Sequence, residues 1–100
     1  VTLVHAVVPG TSAAEHRRAL GWLGNVVAAA QADTGVVVEG RVIDGWPGPV
    51  LAGAAHDADV VTVGSRGVSG FRARSLGSVA RYLARCSPCP VLVHHPPRLG

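Results

Sequence analysis

Lysine is missing altogether: the nine basic side chains of this 100-residue sequence are all arginine. That removes a P-loop lysine and a Schiff-base lysine together. Aromatic residues are scarce at 4%, so the core has to come from Val, Leu and Ala, which suits helices packed closely on a sheet. Charged residues reach only 15% against 48% hydrophobic, which excludes a disordered chain. Two cysteines do not make a disulfide framework. No apolar run approaches the ~18 residues that span a bilayer. Val1-Thr2-Leu3-Val4 carries no basic leader, so no signal peptide is expected and a cytoplasmic location is. Methionine is absent too, and a chain that does not open on it is expected to continue upstream. What is present is a basic excess, net charge +3 and pI ≈ 9.7, over about one domain's length. That balance fits an anionic ligand and also weak nucleic-acid contact. Trp22 and Trp46 have no aromatic neighbour with which to stack bases, so they are expected to pack in the core, and nucleic acid is not the expected partner.

Apolar runs and punctuation predict alternating strands and helices. Val1 to Val8 reads as a buried strand ended by Pro9-Gly10. Thr11 or Ser12 can cap a helix over Ala13 to about Ala32, with Glu15 completing a capping box. Leu20, Leu23, Val27 and Ala30 form its apolar stripe, and Gly35 stops it. Val36 to Ile43 is a half-exposed strand. Pro49 can start a short helix ending near Asp57. Asp59 to Val63 is a third, buried strand; a helix over Leu76 to Arg85 and a strand from Cys89 to His94 follow, closed by Pro96-Pro97. Strands alternating with helices predict a mostly parallel sheet with helices on both faces, and no linker or repeat divides the chain.

The chemistry-bearing pattern is Gly64-Ser65-Arg66-Gly67, nine further residues, then Gly77-Ser78. It sits at the carboxyl end of a strand and leads into a helix, where open α/β sheets bind ligands. Gly64 and Gly67 can take positive φ and let a ligand approach the backbone. Gly77-Ser78 places bare N–H groups and a hydroxyl at a positive helix end that favours phosphate. Arg66, Arg72 and Arg74 add charge. Neither the Walker nor the dinucleotide glycine spacing is present. On spacing alone the glycines could make only a tight turn; the strand-end and helix-start context argues against it.

From Val60 to His94 the sequence VVTVGSRGVSGFRARSLGSVARYLARCSPCPVLVH resembles the C-terminal signature of the universal stress protein family. That signature is G-x2-G-x9-G-[ST] after a Val-rich strand, then a helix and a CPVLV-type strand. Val1 to Val8 also resembles the family's second strand, so the likeness extends over nearly the whole chain.

The resemblance implies a three-layer α/β/α, Rossmann-like fold of the adenine-nucleotide α-hydrolase type, with sheet order 3-2-1-4-5. Residues 1–100 would be one such domain, lacking the family's first strand and helix and the Asp-bearing turn between them. It implies ATP or a related adenine nucleotide as ligand, with or without Mg, in a regulatory stress-response module. Gly64 and Gly67 would line ribose and phosphates. Gly77, Ser78 and Val79 would hold phosphate oxygens, and Val63 and the Ala6 backbone would border adenine and ribose. Arg66, at a variable loop position, would reach phosphate. A homodimer through the Cys89–His94 edge strand is implied as well. The alternatives are a dimeric signalling module that binds no nucleotide and a slow ATP hydrolase.

Other chemical residues read more plainly. Cys86-Ser87-Pro88-Cys89 lies at a helix end and lacks a second ligand pair, so Cys89 is expected to pack rather than to bind metal or catalyse redox exchange. His5 reads as a core or pocket-edge residue, and His16 and His56 as helix-surface residues. Arg81 and Arg85 read as a solvated face near a helix C-terminus. The spacing of Asp44, Asp57 and Asp59 supplies no triad or carboxylate pair, and no general base is identified, so efficient enzyme activity is not expected.

Overall fold

Two strands can pair in parallel only if a long connection carries the chain back, and a helix is the usual one. The structure is a computed structural model that describes residues 1–65 and 77–95. It divides into two compact units, Val1–Val50 and Leu51–Gly100. In the first, β1 (Thr2–Val7) and β2 (Glu39–Asp44) form a two-stranded parallel sheet, with Thr2 opposite Glu39 and Val7 opposite Asp44. The connection is α1 (Ala13–Thr34).

Local chemistry sets both ends of α1. Ser12 is extended and its hydroxyl accepts the Glu15 N–H at 3.2 Å, satisfying one orphan donor of the first turn. Gly35 takes φ 70, the left-handed value that a side chain would resist, and its N–H caps the Gln31 carbonyl at 2.9 Å. The face turned to the sheet carries Ala19, Leu23, Val26, Val27 and Ala30. Leu23, Val7 and Val38 are the buried apolar residues of this unit. Leu20, expected on the stripe, is 50% exposed because it falls on the helix flank.

The second strand begins later than expected. Val36 and Val37 lie outside β2 and are exposed. The Gln31 side chain reaches past the helix end to accept the Val38 N–H at 2.9 Å, so this stretch folds against α1 before pairing starts. The next helix, α2 (Pro47–Ala54), starts at Pro47 rather than Pro49. A missing N–H costs nothing at that first position. A 3-10 turn over Ala55–Asp57 extends it.

In the second unit, β3 (Val61–Gly64) and β4 (Val91–His94) pair in parallel, Val61 opposite Val91 and Gly64 opposite His94. α3 (Ser78–Cys86) joins them. Its Ala80 and Leu83 are fully buried, with Ala55 the other buried apolar residue of the unit. Val61, Val63, Val91 and Val93 are half-buried and alternate with exposed Thr62, Gly64, Leu92 and His94. The apolar runs read as strands buried on both faces are thus half-exposed here.

The expected pairings, first strand with second and third with fourth, are the ones formed. Leu76 and Pro96-Pro97 lie outside the described residues. No helix among those described is long and apolar enough to cross a membrane.

Candidate functional site

The expected phosphate cradle lies within the second unit, and its two halves meet. β3 ends at Gly64. Ser65 follows and is 3% exposed; its N–H donates to the His94 carbonyl at 2.9 Å, holding it to the end of β4. The Ser65 carbonyl then accepts the Gly77 N–H at 2.7 Å. One short hydrogen bond therefore seats the start of α3 beside the carboxyl end of β3.

Among the described residues no side chain caps the α3 terminus. Gly77 is its N-cap, with φ −64 and ψ 164, and provides no side-chain cap. Its carbonyl accepts the Arg81 N–H at 3.0 Å, which begins the helical ladder. The N–H groups of Ser78, Val79 and Ala80 precede that ladder and are the first-turn donors. No acidic side chain occupies the first turn. Ser78 is exposed and Val79 half-buried at this end of positive dipole.

Strand pairing decides which backbone groups can reach a ligand. In a parallel strand, alternate residues turn both N–H and C=O to the same neighbour. Val61 and Ser65 donate to Pro90 and His94, so the odd residues of β3, Val63 included, face β4. Gly64 turns its backbone to the other edge. Of the two, Gly64 offers main-chain contact and Val63 its side chain. By the same rule Val1 and Val7 accept from Glu39 and Gly45, so Ala6 turns its backbone away from β2.

One expectation about glycine is corrected. Gly64 is an ordinary strand residue; the glycines with positive φ among the described residues are Gly10, Gly35 and Gly45. Its value at the strand end is the absence of a side chain, not a special dihedral. Arg66 and Gly67, with Arg72 and Arg74, lie outside the described residues.

The first unit has a feature that the sequence did not announce. An open cavity of about 520 Å³ lies at the carboxyl ends of β1 and β2, lined by residues including Val8, Thr11, His16 and Asp44. His16 Nε2 lies 3.4 Å from Asp44 Oδ1. His16 was expected on the helix surface. The usable signal was Ser12: a cap there puts His16 one turn up the helix, near the ends of the strands it connects. His5 meets Trp22 edge to face, with centroids 5.4 Å apart. Trp22 and Trp46, expected to pack inside, are 56% and 61% exposed. Cys89 is half-buried rather than buried. Arg81 and Arg85 lie on an exposed face, as expected.

Comparison with known proteins follows the same lines. Residues 2–95 match the Universal stress protein family. No curated protein sequence matches significantly. Eight solved chains match in structure. One is the hypothetical protein MJ0577, with TM-score 0.81 and 23% identity over 98% of this chain and 76% of that one. At that identity the likeness speaks to the fold, which is α/β and Rossmann-like.

Proposed function

The chain belongs to the universal stress protein family, and on that premise we propose that it binds an adenine nucleotide, ATP foremost, as a stress-response regulatory module. The observation that carries this reading is the 2.7 Å bond from the Gly77 N–H to the Ser65 carbonyl. It brings an uncapped helix N-terminus to the end of a parallel strand, the arrangement that receives phosphate in α/β folds. In the proposal Ser78 and Val79 donate to phosphate oxygens through their backbones, and the Ser78 hydroxyl adds a further donor. Gly77 and Gly64 keep side chains out of the way. Arg66 and Gly67 complete the phosphate contacts, and Mg accompanies the triphosphate. Val63 borders the nucleoside. The role is binding and signalling rather than turnover, carried out in the cytoplasm by a homodimer joined along the outer edge of β4.

The test is nucleotide retention and titration. Protein purified without added nucleotide and then denatured should release ATP or ADP, identified by mass spectrometry. In calorimetric titration, Ser78→Ala should weaken ATP binding about 5-fold, corresponding to the ~1 kcal/mol of one hydrogen bond. A purified protein that releases no nucleotide and takes up none at millimolar ATP would favour the non-nucleotide signalling reading.

A further inference from the structure

We propose that Cys86 and Cys89 close into an intrachain disulfide when the protein meets a peroxide, making the α3–β4 junction a reversible modification site. Both thiols are free; Cys86 is exposed at the last position of α3 and Cys89 is half-buried. Three residues of extended chain would hold their α-carbons roughly 10 Å apart. A disulfide needs about 4.4–6.8 Å, so the chain must turn between them.

The structure supplies that turn and pins it. The chain bends at Pro88 and Cys89. The Ser87 hydroxyl donates to the Cys89 carbonyl at 2.7 Å and accepts the Cys89 N–H at 3.3 Å. Cys89 Sγ lies 3.8 Å from that same hydroxyl, so the thiol is folded back towards the helix end. From the other side, the Ser87 N–H is held by the Leu83 carbonyl at 2.9 Å, which keeps Cys86 in the last helical turn. The backbone at both positions is held before any bond forms, which lowers the ordering entropy left to lose.

The position on the helix says what kind of site this is. Catalytic C-x-x-C pairs use the positive N-terminal end of a helix to favour the thiolate and speed exchange. This pair sits at the opposite end, so it lacks the dipole that speeds exchange in catalytic pairs and is not read as an exchange catalyst. Among the described residues no group of three or more His, Cys, Asp or Glu is placed to hold a metal ion.

The chemistry balances with hydrogen peroxide as the oxidant. The exposed Cys86 sulfur attacks one peroxide oxygen; the O–O bond breaks, leaving a sulfenic acid on Cys86 and one water. Cys89 sulfur then attacks Cys86 sulfur, the S–O bond breaks, and the hydroxyl leaves with the Cys89 proton as a second water. Two thiols have lost two electrons and two protons, and the peroxide has taken them up. The bond ties the end of α3 to the residues that lead into β4.

The experiment uses the full chain, reduced, desalted and treated with one equivalent of hydrogen peroxide. The expected result is loss of both free thiols and an intact mass lower by two hydrogens. Peptide mapping should place the link between Cys86 and Cys89, the protein should gain no covalent dimer on a non-reducing gel, and dithiothreitol should restore both thiols. Cys86→Ser and Cys89→Ser should each abolish the two-hydrogen loss while circular dichroism stays unchanged. Oxygen added to either cysteine without loss of hydrogens, or linkage between chains, would overturn the proposal.

Discussion

A β-carbon at Gly40 would come within 2.8 Å of Val27 Cγ2 and 3.2 Å of Leu23 Cδ2. Val27 is β-branched and has little rotamer freedom on a helix, so it cannot swing aside cheaply. Gly40 therefore sets how closely α1 lies on β2. Gly40→Val should cost about 1–3 kcal/mol through overpacking, read as a lower urea midpoint. Gly24 gives the contrast: a β-carbon there meets nothing within 4 Å. Gly24→Ala should raise stability by about 0.5–1 kcal/mol by improving helix propensity and restricting the unfolded chain. Equal effects at the two sites would contradict the packing argument. At this scale legibility followed range. Ser12 and Gly35 were readable because a cap needs only its own turn of chain. Leu20 and Trp22 were misread because periodicity marks an apolar face but not how far a two-stranded sheet extends beneath it. The His16–Asp44 contact was missed because its partners are 28 positions apart (44 − 16) and meet only through strand pairing.

Among the elements, α3 carries the sharpest question, because its N-cap runs against helix economy. Gly77 has φ −64 and ψ 164, a conformation open to any residue, so no dihedral demands glycine there. A capping side chain would suit the helix better, and its absence makes sense where a ligand supplies the missing acceptor. Gly77→Asp should therefore have opposite effects on two measurements. The carboxylate would cap the first turn and meet the positive dipole, raising stability by a few tenths of a kcal/mol to about 1 kcal/mol. The same charge would occupy the phosphate position and repel it, and ATP affinity should fall at least tenfold. Thermal unfolding and ATP titration of the same variant give the readout. A variant both more stable and equally competent for ATP would show that the terminus is merely an undecorated turn. The existence of α3 was plain from spacing. Strand limits were less so. Val36 to Val38 has strand composition, yet the Gln31 amide claims the Val38 N–H, and a side-chain competitor for the backbone leaves no trace in hydrophobic periodicity.

For the whole molecule, the strand pairs β1–β2 and β3–β4 were legible because each is a strand–helix–strand segment that must return to its own edge. Association is the remaining question at this scale, and β4 is where it is expected. Val61 and Ser65 of β3 donate to the carbonyls of Pro90 and His94. Alternation then assigns Leu92 to β3 as well and leaves the N–H and C=O groups of Val91 and Val93 on the outer edge. No charged or proline residue within Val91–His94 guards that edge, and Leu92 is 59% exposed beside it. Natural sheets usually blunt such an edge, so one left bare is suited to pairing with another strand. An antiparallel partner related by a two-fold axis would satisfy both copies with the same groups. Val93→Pro tests this with little damage to the protomer. It removes the outward N–H at position 93, while the bonds to β3 come from the even-numbered positions; proline is also tolerated on edge strands. Sedimentation equilibrium at tens of micromolar should show a dimer for the parent chain and a monomer for the variant. Circular dichroism should be unchanged, and the ATP affinity of the monomer should stay within about twofold, because the proposed cradle at Ser65 and Gly77 lies within one chain. A parent chain that sediments as a monomer, or a variant that dimerises as well as the parent, would remove β4 as the interface.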